Sequence, residues 1–173
     1  GQDVRLTLDL ALQKAAEEGL GERAGAVVAL DPATGEVLAL ASRPGYDLNT
    51  VRAQYAALLR DPGRPLMNRA LRGCYPAGSI FKLVTASAML EDARMDPSTS
   101  YDCSGAFVDG GTRYGCHNPH GTSDLLRALE VSCNVYFFHI GKRLGPRVLA
   151  ARARSLGFGA PTGLSLRGQE LKG

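Results

Sequence analysis

A serine followed three residues later by a lysine is the pattern in this sequence that could do chemistry. Ser79 and Lys82 stand at the start of an apolar run, and residues three apart share one face of a helix. A serine hydroxyl attacks efficiently only when a base takes its proton. A lysine amine can be that base when burial lowers its pKa from about 10.4. The pattern predicts a lysine-activated serine nucleophile, whereas a helix-capping serine beside a solvated lysine is the structural alternative.

A second motif, Ser132-Cys-Asn134, follows later in the chain. It lies between two predicted helices, where it could offer a hydroxyl and an amide to the cleft that holds Ser79. By itself such a triplet is a common turn between helices, so its meaning depends on Ser79 and Lys82 being present as well.

The cysteines define a third candidate site. Cys103 and Cys116 flank a glycine-rich segment, and His117 and His120 follow closely. No Cys-x-x-Cys pair occurs, which argues against a zinc ribbon or a thioredoxin motif. A disulfide, a Cys/His metal site and free thiols all remain open at this point. The four cysteines are Cys74, Cys103, Cys116 and Cys133.

The composition is that of one globular domain and excludes several classes of protein. The 173 residues carry a net charge of only +3, with no basic cluster interleaved with aromatics, so no nucleic-acid partner is expected. No apolar stretch reaches the roughly 18 residues that a membrane span requires, and no signal peptide is present. We therefore expect any membrane anchor to lie outside this sequence.

The first part of the chain is predicted to hold a helix and a β-hairpin. Asp9 can cap a helix whose apolar residues recur at helical spacing up to Leu20, with Gly21 after its end. Two apolar runs, residues 24–30 and 36–42, flank a Pro/Gly turn and predict the hairpin. Both of its faces are expected to be covered by helices. Residues 43–76 are expected to be mainly loop, with one helix near Val51–Arg60.

The second part is predicted to position the chemistry. A helix buried on nearly all sides is expected from Gly78 to Glu91, with Ser79 opening it. Residues 95–122 predict a long loop. Ser123 is expected to cap a helix that reaches about Val131. Two further helices are expected over 135–143 and from Pro146 to Ser155.

Along essentially its full length the sequence resembles the transpeptidase domain of class B penicillin-binding proteins. The family is known for Ser-x-x-Lys, Ser-x-Asn and Lys-Thr-Gly motifs. The matching segments, in chain order, are Leu6-Thr-Leu-Asp9 with Leu12-Gln13, Ala29-Leu-Asp-Pro-Ala-Thr-Gly-Glu-Val-Leu-Ala-Leu40, Asn68-Arg-Ala70, Tyr75-Pro-Ala-Gly-Ser-Ile-Phe-Lys82, Ser132-Cys-Asn134 and Leu156-Gly-Phe-Gly159.

This resemblance implies a role for each motif residue. Ser79 would be acylated, Lys82 would activate it, Ser132 would pass a proton towards the leaving amine, and Asn134 would hold the substrate's backbone amide. It also implies an α+β fold of the penicillin-binding transpeptidase and serine β-lactamase type, in which a β-hairpin of a central antiparallel sheet joins a mainly helical lobe. No metal and no cofactor is implied.

One element of the family pattern is missing, because no Lys-Thr-Gly or Lys-Ser-Gly occurs in the sequence. In the family that motif lies on a later strand and contributes to the oxyanion hole, whose donors each support 10²–10³ in rate. Residues 1–173 are therefore expected to be the N-terminal portion of the domain, without its C-terminal strands. We expect this portion alone to be a poor catalyst.

The resemblance also implies a reaction and a set of partners. The activity would be D,D-transpeptidation of peptidoglycan stem peptides ending in D-Ala-D-Ala, inhibited by β-lactams, at the extracytoplasmic face of an anchored protein. The cysteine-flanked loop and the segment from Val135 to Phe138 look more like the elongation type, which implies a shape-determining membrane glycosyltransferase as partner. A serine β-lactamase and a β-lactam-sensing domain are the alternatives.

The cysteine chemistry becomes a definite prediction once the resemblance is considered. An extracytoplasmic compartment is oxidising in many bacteria, and the segment between Cys103 and Cys116 has no apolar periodicity that could give it a core. We therefore predict a disulfide between these two cysteines. A zinc ion held by Cys103, Cys116, His117 and His120 is the rival interpretation.

Overall fold

The computed structural model describes residues 1–93 and 95–164. They form two compact units, Gly1–Cys74 and Tyr75–Thr162, each of which combines helices with antiparallel strands. The fold is therefore α+β, as predicted. In the described part of the chain, no helix has both the length and the apolar character that crossing a bilayer requires.

The first unit is built on the predicted helix and hairpin. Helix α1 covers Leu10–Leu20 and begins at Asp9, whose carboxylate accepts a hydrogen bond from the Leu12 amide at 2.9 Å. Strands β1, Gly25–Leu30, and β2, Val37–Arg43, pair antiparallel. These three predictions are confirmed.

Helix α1 is tied to the hairpin by one side chain as well as by packing. The Gln13 side-chain amide accepts from the Leu40 N–H at 2.8 Å and donates to the Leu40 carbonyl at 3.4 Å. It thus makes the pair of hydrogen bonds that the backbone of a neighbouring strand would make. The expectation that both faces of the hairpin are covered is not met among the described residues. Val28 and Leu30 remain 46% and 55% exposed.

Two short helices complete the first unit. Helix α2 spans Val51–Arg60, which matches the predicted helix. A one-turn helix that the sequence did not predict, α3, spans Arg69–Arg72, with Asn68 as its cap. The Ser42 hydroxyl holds this turn to β2, because it accepts from the Arg69 amide at 2.8 Å and donates to the Met67 carbonyl at 3.3 Å.

The second unit starts with a 3₁₀ turn over Gly78–Ile80 that leads into α4, Phe81–Glu91. Gly78 has a φ of +57°, a backbone conformation that glycine adopts without strain. The prediction that this helix is buried on nearly all sides is wrong. One face packs against α6, Asn134–Ser155, while Ile80, Leu83 and Leu90 are at least 60% exposed.

Much of the segment predicted as a loop, residues 95–122, forms strands instead, and four short strands lie between residues 101 and 123. Strand β3, Tyr101–Cys103, pairs with β6, Gly121–Ser123. Strand β4, Ala106–Asp109, pairs with β5, Thr112–Gly115, through Gly110 and Gly111, which both have positive φ. Two such residues between antiparallel strands make the tight turn whose twist matches a hairpin. Runs of three or four residues are too short for an alternating pattern to reveal them.

Two helices end the second unit. Helix α5 spans Leu125–Glu130, and its cap is Asp124 instead of the predicted Ser123, which is buried at the end of β6. Helix α6 is interrupted at Gly145, where φ is 76° and ψ is 166°. The two predicted helices before and after this point are therefore both present. The core between α4 and α6 is formed by Ala86, Ala88, Met89, Leu125, Ala128, Val135, Tyr136, Phe137, Ile140 and Leu144, with Cys103 and Cys133.

Candidate active site

Ser79 lies in the middle of the 3₁₀ turn that precedes α4 and is exposed. Its hydroxyl is therefore accessible to a substrate. The free N–H groups at the start of a helix favour negative charge nearby, which suits an oxygen that must develop charge. The predicted position of the serine at the start of the helix is confirmed, with a 3₁₀ turn where the prediction has regular helix.

Lys82 projects from the first turn of α4 into a set of oxygen atoms. Its amine donates to the Ser132 carbonyl at 2.6 Å, to the Ser132 hydroxyl at 2.8 Å and to the Asn134 side-chain oxygen at 2.7 Å. Three acceptors satisfy the three donors of an ammonium group. The lysine thus joins Ser132 and Asn134, although about fifty residues separate it from them.

The sequence predicted a direct hydrogen bond between Ser79 and Lys82, and the structure differs on this point. Within the described residues, the side-chain partner of the Ser79 hydroxyl is the Ser132 hydroxyl, which donates to it at 3.0 Å. The Lys82 amine is bonded to Ser132 and Asn134, and the Ser132 hydroxyl stands between it and the Ser79 hydroxyl. The prediction that Ser79 and Ser132 share one cleft is confirmed.

Ser132 reaches this position through an unusual backbone conformation. Its φ is 53°, in the left-handed region that a residue with a side chain rarely adopts. The residue occupies the turn between α5 and α6, and its amide donates to the Leu129 carbonyl at 3.2 Å. Such backbone strain is concentrated at functional sites, and here it aims the hydroxyl between Ser79 and Lys82.

The surroundings of Lys82 shift the pKa of its amine downwards. Burial lowers the pKa of the amine from 10.5, while negative charge on Cys116 and Cys133 acts in the opposite direction. The ring centroid of the buried Phe137 lies 5.7 Å from the amine, and this cation–π contact favours the ammonium form, so it also opposes the effect of burial. A lowered pKa is what a lysine needs in order to accept a proton near neutral pH.

Asn134, the first residue of α6, is held from two sides. Its side-chain oxygen accepts from Lys82, and its side-chain NH₂ donates to the Gly115 carbonyl at 3.1 Å. Its backbone N–H donates to the Cys116 sulfur at 3.1 Å. The contact with Gly115 and Cys116, at the end of β5, could not be found from the sequence because it depends on how the 101–123 strands fold.

Four side chains that could bind a metal ion lie close together next to this site. The ligand atoms of Cys103, Cys116, His120 and Cys133 all lie within 4.8 Å of one another. Nδ1 of His120 lies 3.6 Å from the Cys103 sulfur and 3.5 Å from the Cys116 sulfur. We call these four residues the thiol cluster. Cys133 belongs to both sites, because it is the middle residue of the Ser-x-Asn motif.

The thiol cluster corrects two expectations. The predicted disulfide between Cys103 and Cys116 is wrong, because both are free thiols. In the rival zinc set His117 was the wrong residue, and Cys133 takes its place. His117 is exposed on the chain between β5 and β6, whereas His120 is followed at once by β6, which pairs with the strand that carries Cys103. The signal in the sequence that could have pointed to Cys133 was its position inside the Ser-x-Asn motif.

Two spacings in the thiol cluster, those from His120 to the sulfurs of Cys103 and Cys116, suit a tetrahedral zinc ion. Metal–sulfur distances of about 2.3 Å and metal–nitrogen distances of about 2.0 Å place neighbouring ligands roughly 3.5–3.8 Å apart. The spacings around His120 are in this range. The pKa of the Cys116 thiol is lowered, because backbone N–H groups of Asn134 and Val135 outweigh the effect of burial. Burial raises the pKa of Cys133 to about 11, so a metal would have to displace its proton.

Comparison with known proteins decides the family. The model of the penicillin-binding protein transpeptidase domain matches residues 25–171. The chain belongs to this family. The contacts of Ser79, Lys82, Ser132 and Asn134 are therefore those of residues in a penicillin-binding transpeptidase domain.

Three similar proteins describe the relationship further. The peptidoglycan D,D-transpeptidase MrdA of Acinetobacter baumannii is 34% identical over 96% of this chain and 26% of its own length. The PBP2 of Pseudomonas aeruginosa, solved in complex with WCK 5153, superposes with a TM-score of 0.90 and 37% identity over 100% of this chain and 41% of that one. Penicillin-binding protein A of Mycobacterium tuberculosis, solved as a ceftriaxone acyl-enzyme, gives a TM-score of 0.81 and 33% identity over 90% and 39%.

The chain corresponds to less than half of the length of each of these relatives. The chain spans about a quarter of the length of the MrdA relative. The penicillin-binding family and its fold are therefore established for this chain, and the similarity to MrdA and PBP2 agrees with the elongation type that the sequence resembles. The activity, substrates and partners of the whole protein are proposals.

Proposed function

We propose that the protein is a peptidoglycan D,D-transpeptidase that works through an acyl-serine and is inhibited by β-lactams. One observation carries the proposal: the Ser132 hydroxyl lies 3.0 Å from the Ser79 hydroxyl and 2.8 Å from the Lys82 amine. A nucleophile, a proton carrier and a base with a lowered pKa are thereby connected in one chain. The residues 1–173 are proposed to be the N-terminal portion of the transpeptidase domain.

The reaction follows from this chain of groups. The Ser79 oxygen forms a bond to the carbonyl carbon of the penultimate D-Ala, and its proton moves through Ser132 to Lys82. The proton then returns through Ser132 to the nitrogen of the terminal D-Ala, which leaves as the C–N bond breaks. An amine of a neighbouring stem peptide then attacks the ester carbonyl, the C–O bond to Ser79 breaks as the cross-linking amide forms, and the proton lost by the amine passes through Lys82 and Ser132 to the Ser79 oxygen. Asn134 is proposed to hold the backbone amide of the donor peptide.

The test is covalent labelling of the full-length protein with a fluorescent penicillin. We expect one label per protein, located on Ser79 by peptide mass spectrometry, and no label on Ser79→Ala. Ser104→Ala is the matched control, because Ser104 is exposed and lies outside the site. Undiminished labelling of Ser79→Ala would refute the assignment of the nucleophile.

The persistence of the label separates a transpeptidase from a serine β-lactamase. A transpeptidase retains its penicilloyl ester, whereas a β-lactamase hydrolyses it and turns over the penicillin. The family match and the relative named as a D,D-transpeptidase favour a retained ester. Turnover of penicillin within minutes would favour the β-lactamase instead, and a β-lactam-sensing domain would retain the label without cross-linking stem peptides.

The partners and location proposed for the whole protein rest on the family resemblance of the sequence, and the similarity to a peptidoglycan D,D-transpeptidase supports them. They are stem peptides ending in D-Ala-D-Ala, a membrane glycosyltransferase of the shape-determining type, and the extracytoplasmic face of the cell membrane with an anchor outside this sequence. Peptidoglycan polymer made by such a glycosyltransferase in the presence of the full-length protein should contain cross-linked dimers. Omission of either protein, or Ser79→Ala, should abolish them.

A second candidate function concerns the thiol cluster. We also propose that it holds a structural zinc ion, because a Cys₃His set with these spacings is a common tetrahedral site. The full-length protein purified without chelator should contain one zinc per chain. Cys103→Ser should lose the metal, while Cys74→Ser should retain it, because Cys74 is exposed and outside the cluster. Equal zinc content in both variants would refute this site.

A further inference from the structure

Asn134 makes more contacts with its surroundings than its proposed substrate contact requires. Its side-chain oxygen faces Lys82 at 2.7 Å and its side-chain nitrogen faces the Gly115 carbonyl at 3.1 Å. These two bonds fix which end of the amide is presented to the lysine and which to β5. Its backbone N–H donates to the Cys116 sulfur at 3.1 Å, and the second hydrogen of the side-chain NH₂ is left for the contact proposed with the substrate.

Gly115 and Cys116 therefore act together on one catalytic side chain. Gly115 ends β5 and its carbonyl orients the Asn134 amide, while Cys116 holds the backbone at the first residue of α6. The Cys116 amide in turn donates to the Gly105 carbonyl at 2.9 Å, which fastens this end of β5 to the chain before β4. The β4–β5 hairpin thus supports the residue that is proposed to hold the substrate.

We propose that Cys116 is a positioning residue for the acylation of Ser79 and acts through Asn134. This inference rests on the proposed function, since it concerns the same reaction. Its basis is the hydrogen bond that the sulfur accepts from the Asn134 backbone. That role is separate from any role of the sulfur in the thiol cluster, because a hydroxyl at the same position could accept the bond without restoring a Cys₃His set.

Three variants of the full-length protein separate the two roles. Cys103→Ser breaks the thiol cluster and leaves the contact with Asn134 in place. Cys116→Ser also breaks the cluster but retains an acceptor for the Asn134 N–H. Cys116→Ala removes both. We expect the second-order rate constant of penicillin acylation to agree within about threefold for the two serine variants and to be at least tenfold lower for Cys116→Ala, a difference that loss of the cluster alone would not produce.

A double-mutant cycle tests whether Cys116 acts through Asn134. If it does, Cys116→Ala should slow acylation at least tenfold in the native background and less than twofold in Asn134→Ala. The proposal is overturned if the substitutions at Cys116 and Asn134 slow acylation by independent factors that multiply. It is also overturned if the acylation rate of Cys116→Ala lies within threefold of that of Cys103→Ser. If Cys116→Ala does not fold, a rate for Cys116→Ser at least tenfold below that of Cys103→Ser decides against it, and equal rates support it.

Failure of this inference can be distinguished from failure of the proposed function. If Ser79 is not the acylated residue, the native protein carries no label at Ser79 and the function fails. If Ser79 is labelled and the three variants do not differ as expected, the function stands and only the role of Cys116 is refuted.

Discussion

At the scale of single residues, Lys82 is subject to two opposing effects. Burial favours its neutral amine, and the negative charges that Cys116 and Cys133 can carry favour its ammonium form. Burial is the larger effect, so the pKa lies below 10.5. The neutral amine is the form that can accept the proton of Ser79.

The rate of acylation should therefore rise with pH as Lys82 loses its proton. Because the pKa is lowered, the midpoint of this rise should lie below 10.5. Stopped-flow measurement of penicillin acylation across pH, on the full-length protein, gives the midpoint. Lys82→Ala should acylate slowly at every pH and lose the rise. A midpoint at or above 10.5 would contradict the proposed environment.

Ser132 combines a hydroxyl for which we propose a catalytic role with a strained backbone, and substitutions can separate these properties. Ser132→Ala and Ser132→Gly both remove the hydroxyl, so both should reduce acylation by a factor of about 10²–10⁴, the usual contribution of positioned proton transfer. Glycine tolerates the φ of 53°, whereas alanine retains a strain on the order of 1 kcal/mol. Thermal unfolding should therefore show the glycine variant to be the more stable of the two. The reverse order would mean that the strain is not present.

The four site residues could be predicted from the sequence because each lies in a short motif and helical spacing places Ser79 near Lys82. The order in which these side chains contact one another could not be predicted from the sequence. That Ser132 stands between Ser79 and Lys82 depends on the turn between α5 and α6, which folds against α4 from a distant part of the chain. Likewise, nothing local distinguishes His120 from His117 as a member of the thiol cluster.

At the scale of elements, the successes and failures of prediction follow element length. The helix Val51–Arg60 and the hairpin of β1 and β2 carry enough apolar residues to show a period. Strands β3 to β6 have three or four residues each, and their pairing is fixed by glycine turns and by contacts with α6 instead of by a local pattern. A glycine-rich stretch can therefore be ordered without having any visible periodicity.

The break in α6 gives a prediction about stability. Gly145 has φ 76° and ψ 166°, a combination that is essentially restricted to glycine. Gly145→Ala should lower the free energy of unfolding by about 1–3 kcal/mol, although an added Cβ would meet no atom within 4 Å. The full-length protein and its variant can be compared by thermal or urea unfolding.

Gly141→Ala is the matched control for this prediction. Gly141 lies inside the regular part of α6, and an added Cβ would make an ordinary contact with Leu149 at 3.9 Å. Alanine is the better helix former by about 0.8–1 kcal/mol, so this variant should be as stable as the native protein or more stable. Equal destabilisation by both substitutions would show that the backbone conformation at Gly145 is not the cause.

At the scale of the whole molecule, the thiol cluster joins segments that are far apart in the sequence. Cys103 ends β3, Cys116 and His120 lie between β5 and β6, and Cys133 caps α6. One bound ion would connect all of them. The second unit would then depend on that ion for part of its stability, in addition to its hydrophobic core.

Removal of zinc should lower the unfolding temperature of the full-length protein. A ligand that binds only the native state stabilises it by RT ln(1 + [L]/Kd), about 4 kcal/mol at a thousandfold excess over Kd. Unfolding should therefore occur at a lower temperature after dialysis against a chelator and recover when zinc is added. Cys133→Ser should show the lower temperature with or without zinc, and Cys74→Ser should respond like the native protein.

Among the described residues, Lys82 and Ser79 are linked through the Ser132 hydroxyl and not directly. An ammonium group has hydrogens to donate and no lone pair that could accept one, so a charged Lys82 can only donate to Ser132. The path proposed for the Ser79 proton runs in the opposite direction and opens when Lys82 loses a proton. The reactivity of this exposed serine would then be set by the charge of a lysine to which it is not hydrogen-bonded.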